Sequence, residues 1–195
     1  MPGPSLRLFF ALWPDAALRE QISWVSRRAV VGCTGRPVVK QNLHMTLAFL
    51  GNVKAELLPQ IRAAAADISM PGFEFSLDEM GFWARPKALV VQPSSFPREL
   101  PELVNALWRA LEPLPLTGNP GAEGVYRPHV TVARKAVCPA ELVLEAPVCW
   151  VARDFCLVRS VTDPAGARYE PLARYHLIKP DTQADDGPGI AAYEE

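Results

Sequence analysis

The chain has 195 residues, 49% of them apolar, which is enough to bury a core as one domain or two small lobes and excludes a disordered chain. Its 20 basic residues are balanced by 21 acidic ones, so no positive field exists of the kind that holds a protein along a duplex through many phosphates. A nucleic-acid substrate would have to be short, or gripped at one end. Twenty prolines are scattered without the period of a low-complexity linker. Cys33, Cys138, Cys149 and Cys156 form no Cys-x-x-Cys pair and read as reduced thiols in a cytoplasm. No stretch approaches the roughly 18 apolar residues of a membrane span, and no lipidation signal is visible.

In chain order, the apolar run Leu6 to Leu12 reads as a first strand. Arg7 interrupts the run and Pro14-Asp15 closes it, which argues against a signal-peptide core. Asp15 is then the N-cap of a helix carrying Leu18, Ile22, Val25 and Ala29 on one side and ending near Gly32. Leu43 to Leu50 alternates as a strand, Gly51-Asn52 is expected to turn, and Lys54 to Ile68 has helical spacing. Phe73 to Leu77 and Ala88 to Val91 read as strands joined across Gly81 and Pro86 in a hairpin-type connection. Arg98 to Leu111 is a third helix, and a Pro/Gly/Asn-rich loop runs from Pro113 to Gly124. Strands are expected at Pro128 to Arg134, Trp150 to Val161 and Tyr169 to Ile178, with antiparallel pairing favoured by the short connections. Residues 1–180 thus form one α+β domain, and 181–195 an acidic tail with little to bury, expected to be disordered.

The chain has three histidines, and two of them open the same pattern: His44-Met45-Thr46 and His129-Val130-Thr131. With six threonines in 195 positions, two of three histidines gain one two places on by chance about three times in a thousand, a figure that rises a few-fold because threonine favours strands. On a strand, His44, Thr46 and Ala48 share one face, and Leu43, Met45, Leu47 and Phe49 the other, which is expected to be the core face. By the same count His129, Thr131 and Ala133 lie together. Two imidazoles suit an in-line displacement at phosphorus, one taking a proton from the nucleophile and one giving a proton to the leaving oxygen. Paired hydroxyls can bond the non-bridging oxygens. From the residues alone, which imidazole plays which part stays open.

These motifs resemble the two-histidine (2H) phosphoesterases, and among them the RNA 2′,3′-cyclic phosphodiesterases once described as 2′-5′ RNA ligases. The resemblance spans about residues 6 to 178. It rests on Arg7 to Leu12, His44 to Gly51, Arg127 to Arg134, and the C-terminal strand pair through Tyr169 to Leu177. It implies a two-lobed α+β fold of antiparallel sheets with pseudo-two-fold symmetry about a central cleft. It also implies metal-free, cofactor-free opening of a terminal 2′,3′-cyclic phosphate to a 2′-phosphate, with RNA ends or nucleoside cyclic phosphates as substrates. Catalysis would fall to His44 as general acid and His129 as general base, with Thr46, Thr131 and Arg134 on the phosphate. Strict alternation sets Arg134 opposite His129, so its role requires the strand to bend or end there. No obligate protein partner and no membrane are implied, and a cytoplasmic monomer is expected.

His176, without a threonine partner, reads as structural, and a three-histidine zinc site lacks a close-spaced ligand pair. Tyr126 and Phe49 border the motifs and could stack on a base, although Phe49 counts to the core face. The alternatives are a 2H enzyme acting on 2′-5′ oligoadenylate or ADP-ribose cyclic phosphate, and a non-catalytic RNA-end binding module.

Overall fold

Eight residues of β-favouring sequence, Ser5–Leu12, form the central strand β1 of the first half of the molecule. In the computed structural model, which describes residues 3–29, 33–116, 126–137, 142, 144–163 and 166–179, β1 pairs antiparallel with β3 (Met45–Lys54) on one side and β9 (Asp154–Asp163) on the other. β10 (Gly166–His176) closes that edge against β9. The second half is built on β7 (Val130–Val137), which pairs with β6 (Ala88–Gln92), itself paired with β5 (Glu79–Trp83). A short strand, β2 (Thr34–Pro37), lies along the far part of β7. The halves join through one paired position, Met45 with Val130, which is the centre of both His-x-Thr motifs. β4 (Phe73–Leu77) and β8 (Val148–Ala152) form a separate two-stranded sheet.

Helices α1 (Ala16–Ala29), α2 (Leu58–Ala66) and α3 (Glu99–Leu111) share one continuous core with β4 and β8 against the same face of the large sheet. Asp15 caps α1 as the sequence suggests, its Oδ1 accepting the Leu18 amide at 2.8 Å. In α3, Leu100, Leu103, Val104, Leu107 and Leu111 recur at helical spacing and are all buried, each contributing about 1.5–3 kcal/mol by leaving water. The opposite face of the sheet holds a small cluster of Phe9, Ala11, Trp13, Cys156 and Val158, with Tyr169 packed on it. That face carries the site.

Several boundaries differ from the reading of the sequence. Gly51-Asn52 is not a turn: Gly51 takes φ 73°, a value open to glycine, and the strand continues past it to Lys54. The next helix therefore begins at Leu58, after a single 3₁₀ turn at Ala55–Leu57. Phe73–Leu77 pairs with β8, and the hairpin partner of β6 is β5, whose Gly81 lies inside the strand. Trp150 to Val161 divides at Arg153, whose carbonyl accepts the Leu177 amide at 2.9 Å. Cys33 is disulfide-bonded, which corrects the expectation of four reduced thiols, while Cys149 and Cys156 are free. Spacing along the chain could not reveal this, because a disulfide needs nearness in space, and Cys33 stands immediately before the strand that folds back on β7. The expected tail and most of the 113–124 loop lie outside the described residues.

Candidate active site

The register of Met45 with Val130 decides how the two motifs meet. Continued by one residue in each direction of this antiparallel pair, it sets His44 beside Thr131 and Thr46 beside His129, so the two motifs lie side by side. All four side chains are half-buried while Met45 and Val130 are fully buried beneath them. Both strands then carry a bulge at the same place. In β3, Ala11 opposes Thr46 and Phe10 opposes Ala48, leaving Leu47 as the extra residue. In β7, Val90 opposes Thr131 and Leu89 opposes Ala133, leaving Val132 as the extra residue.

A one-residue bulge inverts the alternation beyond it. Ala133 turns into the core and Arg134 comes out on the face of His129 and Thr131, which is the bend its role requires. The matching residue of the first motif is Phe49. Contrary to the count by strict alternation, it lies 43% exposed on the site face, with the Arg7 guanidinium 4.7 Å from its ring centroid.

Each imidazole is held by the same device. His44 Nδ1 lies 2.6 Å from the Asn42 carbonyl oxygen, and His129 Nδ1 lies 2.8 Å from that of Arg127. A carbonyl only accepts, so each Nδ1 carries the hydrogen and each Nε2 is the atom free to exchange a proton when the ring is neutral. On His44 that Nε2 accepts the Thr46 hydroxyl at 3.1 Å. Asn42 is itself fixed: its side-chain nitrogen donates to the Ala167 carbonyl at 2.6 Å, and its oxygen accepts the Tyr169 amide at 3.3 Å.

Aromatic rings complete the walls. Phe9, Trp13 and Tyr169 pack on His44 at centroid distances of 4.9, 5.8 and 5.1 Å, and Trp83 packs on His129 at 4.2 Å. Burial by these neighbours disfavours the imidazolium. His44 is pushed down to about 4, with the bond to Asn42 opposing and the charges of Arg134 and His129 adding to the fall. His129 is also lowered, by burial first and by Arg134 as well, against the bond to Arg127. The charge of Arg134 thus reaches both imidazoles, and that of His129 reaches His44.

Tyr126 is not a base platform. Its ring packs against the main core and its hydroxyl donates to the Thr46 carbonyl at 3.1 Å, tying the approach to the second motif onto the first. Burial raises its phenol well above the usual range. His176 is exposed at the end of β10, seven residues or roughly 23 Å of strand beyond Tyr169. Among the described residues, no group of three or more His, Cys, Asp or Glu side chains is arranged to hold a metal, and no helix is long and apolar enough to cross a membrane.

Sequence reasoning missed Asn42, Trp13, Trp83 and Tyr169. The carbonyl contacts leave no side-chain signature, and Trp83 comes from a strand that was not foreseen. Phe9, Ala11 and Trp13 did alternate along β1, but both faces of that strand are apolar, so the site face did not stand out. A depression of about 620 Å³ between the end of α2 and the side of α3 contains none of the site residues.

A model of the family described as LigT-like phosphoesterase matches residues 12–90, which include the first His-x-Thr motif. An RNA 2′,3′-cyclic phosphodiesterase of Escherichia coli (strain K12) is 34% identical over 177 residues, covering 89% of this chain and 97% of that protein. A protein of the same name from Archaeoglobus fulgidus is 29% identical over 177 residues, covering 86% and 98%. The crystal structure of E. coli LigT complexed with 3′-AMP matches with a TM-score of 0.81 at 32% identity, covering 90% of this chain and all of that one. With a relative of that identity matched over nearly its whole length, and with two His-x-Thr strands joined at their centres, the chain belongs to the LigT-like family of 2H phosphoesterases.

Proposed function

We propose that the protein is an RNA 2′,3′-cyclic phosphodiesterase that hydrolyses the terminal cyclic phosphate to a 2′-phosphate by two-histidine acid–base catalysis without a metal. The observation that carries this reading is the pair of imidazoles anchored alike through Nδ1 on two strands joined at Met45 and Val130, with Arg134 brought to the same face by a bulge. His129 Nε2 takes a proton from water, whose oxygen bonds to phosphorus in line with the 3′ oxygen. The P–O3′ bond breaks and His44 Nε2 delivers a proton to the departing oxygen. Thr46, Thr131 and Arg134 hold the non-bridging oxygens as charge-assisted donors. A 5′-hydroxyl from a second strand in place of water would give a 2′-5′ link with no additional site. The direct test is turnover of RNA ending in a 2′,3′-cyclic phosphate with a chelator present.

A His44 held at about 4 is neutral near pH 7 in the free protein, which at first sight is the wrong state for an acid. The substrate reverses this: a phosphodiester anion seated beside the ring favours the imidazolium, so the proton is taken up with the substrate. The pH dependence follows from the directions. kcat/KM, which reports the free protein, should be bell-shaped with its optimum below pH 6.5, because both imidazoles are lowered there. kcat, which reports the complex, should have its bell displaced upward. A kcat/KM profile that peaks above pH 8 would contradict the pairing of these two groups.

Thr46→Ala and Thr131→Ala should each lower kcat/KM by about 1–3 kcal/mol, since each removes one hydrogen bond to a charged group. The Thr46 variant also releases His44 Nε2 from its hydroxyl donor. Steady-state kinetics on a nucleoside cyclic phosphate measures both, and a loss as large as that of a histidine variant would show that the threonines do more than bind phosphate.

A further inference from the structure

On the site face of the second half, cross-strand register lines up Trp83, Ala88, Arg134 and Arg36 in one row over β5, β6, β7 and β2. Arg36 directly opposes Arg134, and like charges in that position repel. Neither guanidinium has a carboxylate within ion-pair reach among the described residues, where eight other ion pairs form. Lys87 and Lys135, next in sequence to Ala88 and Arg134, are exposed and likewise have no acidic partner among the described residues. A chain with a net charge of −1 thus sets two guanidiniums side by side, neither with an acidic partner among the described residues.

The backbone is shaped to keep Arg36 there. Gly35 has φ +146°, and a Cβ on it would meet the Ala136 Cα at 3.0 Å and the Arg134 carbonyl oxygen at 3.2 Å, so only glycine lets β2 lie this close to β7. The result is a second guanidinium one strand spacing, about 5 Å, from Arg134, on the edge of β7 that also pairs with β3. Two neighbouring cations of this kind match two successive phosphates of a single strand. Trp83, at the other end of the row and packed on His129, offers an aromatic wall.

We infer that Arg36 binds the phosphodiester immediately 5′ to the reacting end of an RNA strand, making the protein selective for RNA ends over nucleoside cyclic phosphates. This rests on the cyclic phosphodiesterase reading of the site. A nucleoside 2′,3′-cyclic phosphate has no such phosphodiester and cannot use Arg36, so the two substrates separate a role here from a role at the reacting phosphorus.

The experiment measures kcat and KM for wild type, Arg36→Gln and Arg36→Lys on a short RNA with a 2′,3′-cyclic phosphate end and on the matching nucleoside cyclic phosphate, over a range of salt. Arg36→Gln should lower kcat/KM on the RNA by about tenfold, through KM, and flatten the log–log salt slope by about 0.7, the value for one phosphate contact on a single strand. The nucleoside substrate should change less than about twofold, and Arg36→Lys should retain most of the RNA activity. Equal losses on both substrates, or no loss on the RNA, would overturn the assignment. So would a salt slope kept in Arg36→Gln but lost in Arg7→Gln, which would run the RNA over the first half instead. If wild type turned over neither substrate, the functional reading would fall by itself. Binding of a labelled RNA ending in a 3′-phosphate would then still decide Arg36, with weakening in Arg36→Gln supporting its role and unchanged binding refuting it.

Discussion

Alanine in place of either His44 or His129 lowers kcat on a 2′,3′-cyclic phosphate by about 10²–10⁴, the usual weight of a positioned acid or base. Both effects should be of similar size, because the two rings are held by the same contact from Nδ1 to a carbonyl two residues upstream. Neither ring carries the core: Met45 and Val130 beneath them are fully buried, so thermal melts should stay cooperative. His44→Ala should also remove a group whose charging opposes folding. A histidine lowered to about 4 favours the folded state above its ordinary value near 6.5 and loses that contribution as pH falls toward 4. The variant should therefore lose less stability than wild type over that window. His176→Ala, at the exposed end of β10, should keep wild-type turnover. A dead His176→Ala beside an active His129→Ala would move the site elsewhere.

The second large effect separates the proton roles. Sulfur in place of the 3′ oxygen leaves as a thiolate that needs no proton, so the general acid becomes dispensable while the base does not. On that substrate His44→Ala should regain most of its lost 10²–10⁴ and His129→Ala should stay inactive. The local surroundings make the comparison informative, since His44 is the more strongly lowered of the two rings in the free protein and depends on the substrate's charge for its proton. Rescue of His129→Ala in place of His44→Ala would exchange the two assignments.

The His-x-Thr repeat was legible because strand alternation requires only one residue of regular backbone between histidine and threonine, and Thr46 and Thr131 both precede their bulges. The faces of Arg134 and Phe49 were not, because each lies just past a bulge and alternation carried across it gives the wrong side; Arg134 was named through the family resemblance alone. The amphipathic α3 was read almost to the residue because its buried positions keep helical spacing over its whole length. β2, four exposed residues with glycine and proline, has no apolar pattern and owes its existence to pairing with β7. Arg36 was invisible for the same reason. Tyr126 bordered the motif as expected but turned inward, since only register shows which carbonyl its hydroxyl can reach.

The position of the phosphate after one turnover decides the mechanism most directly. An RNA ending in a 2′,3′-cyclic phosphate, treated in EDTA and followed by phosphorus NMR, should give a single terminal 2′-phosphomonoester at the rate seen without chelator. A 3′-phosphomonoester, or a reaction that stops in EDTA and resumes on adding a divalent metal, would contradict it.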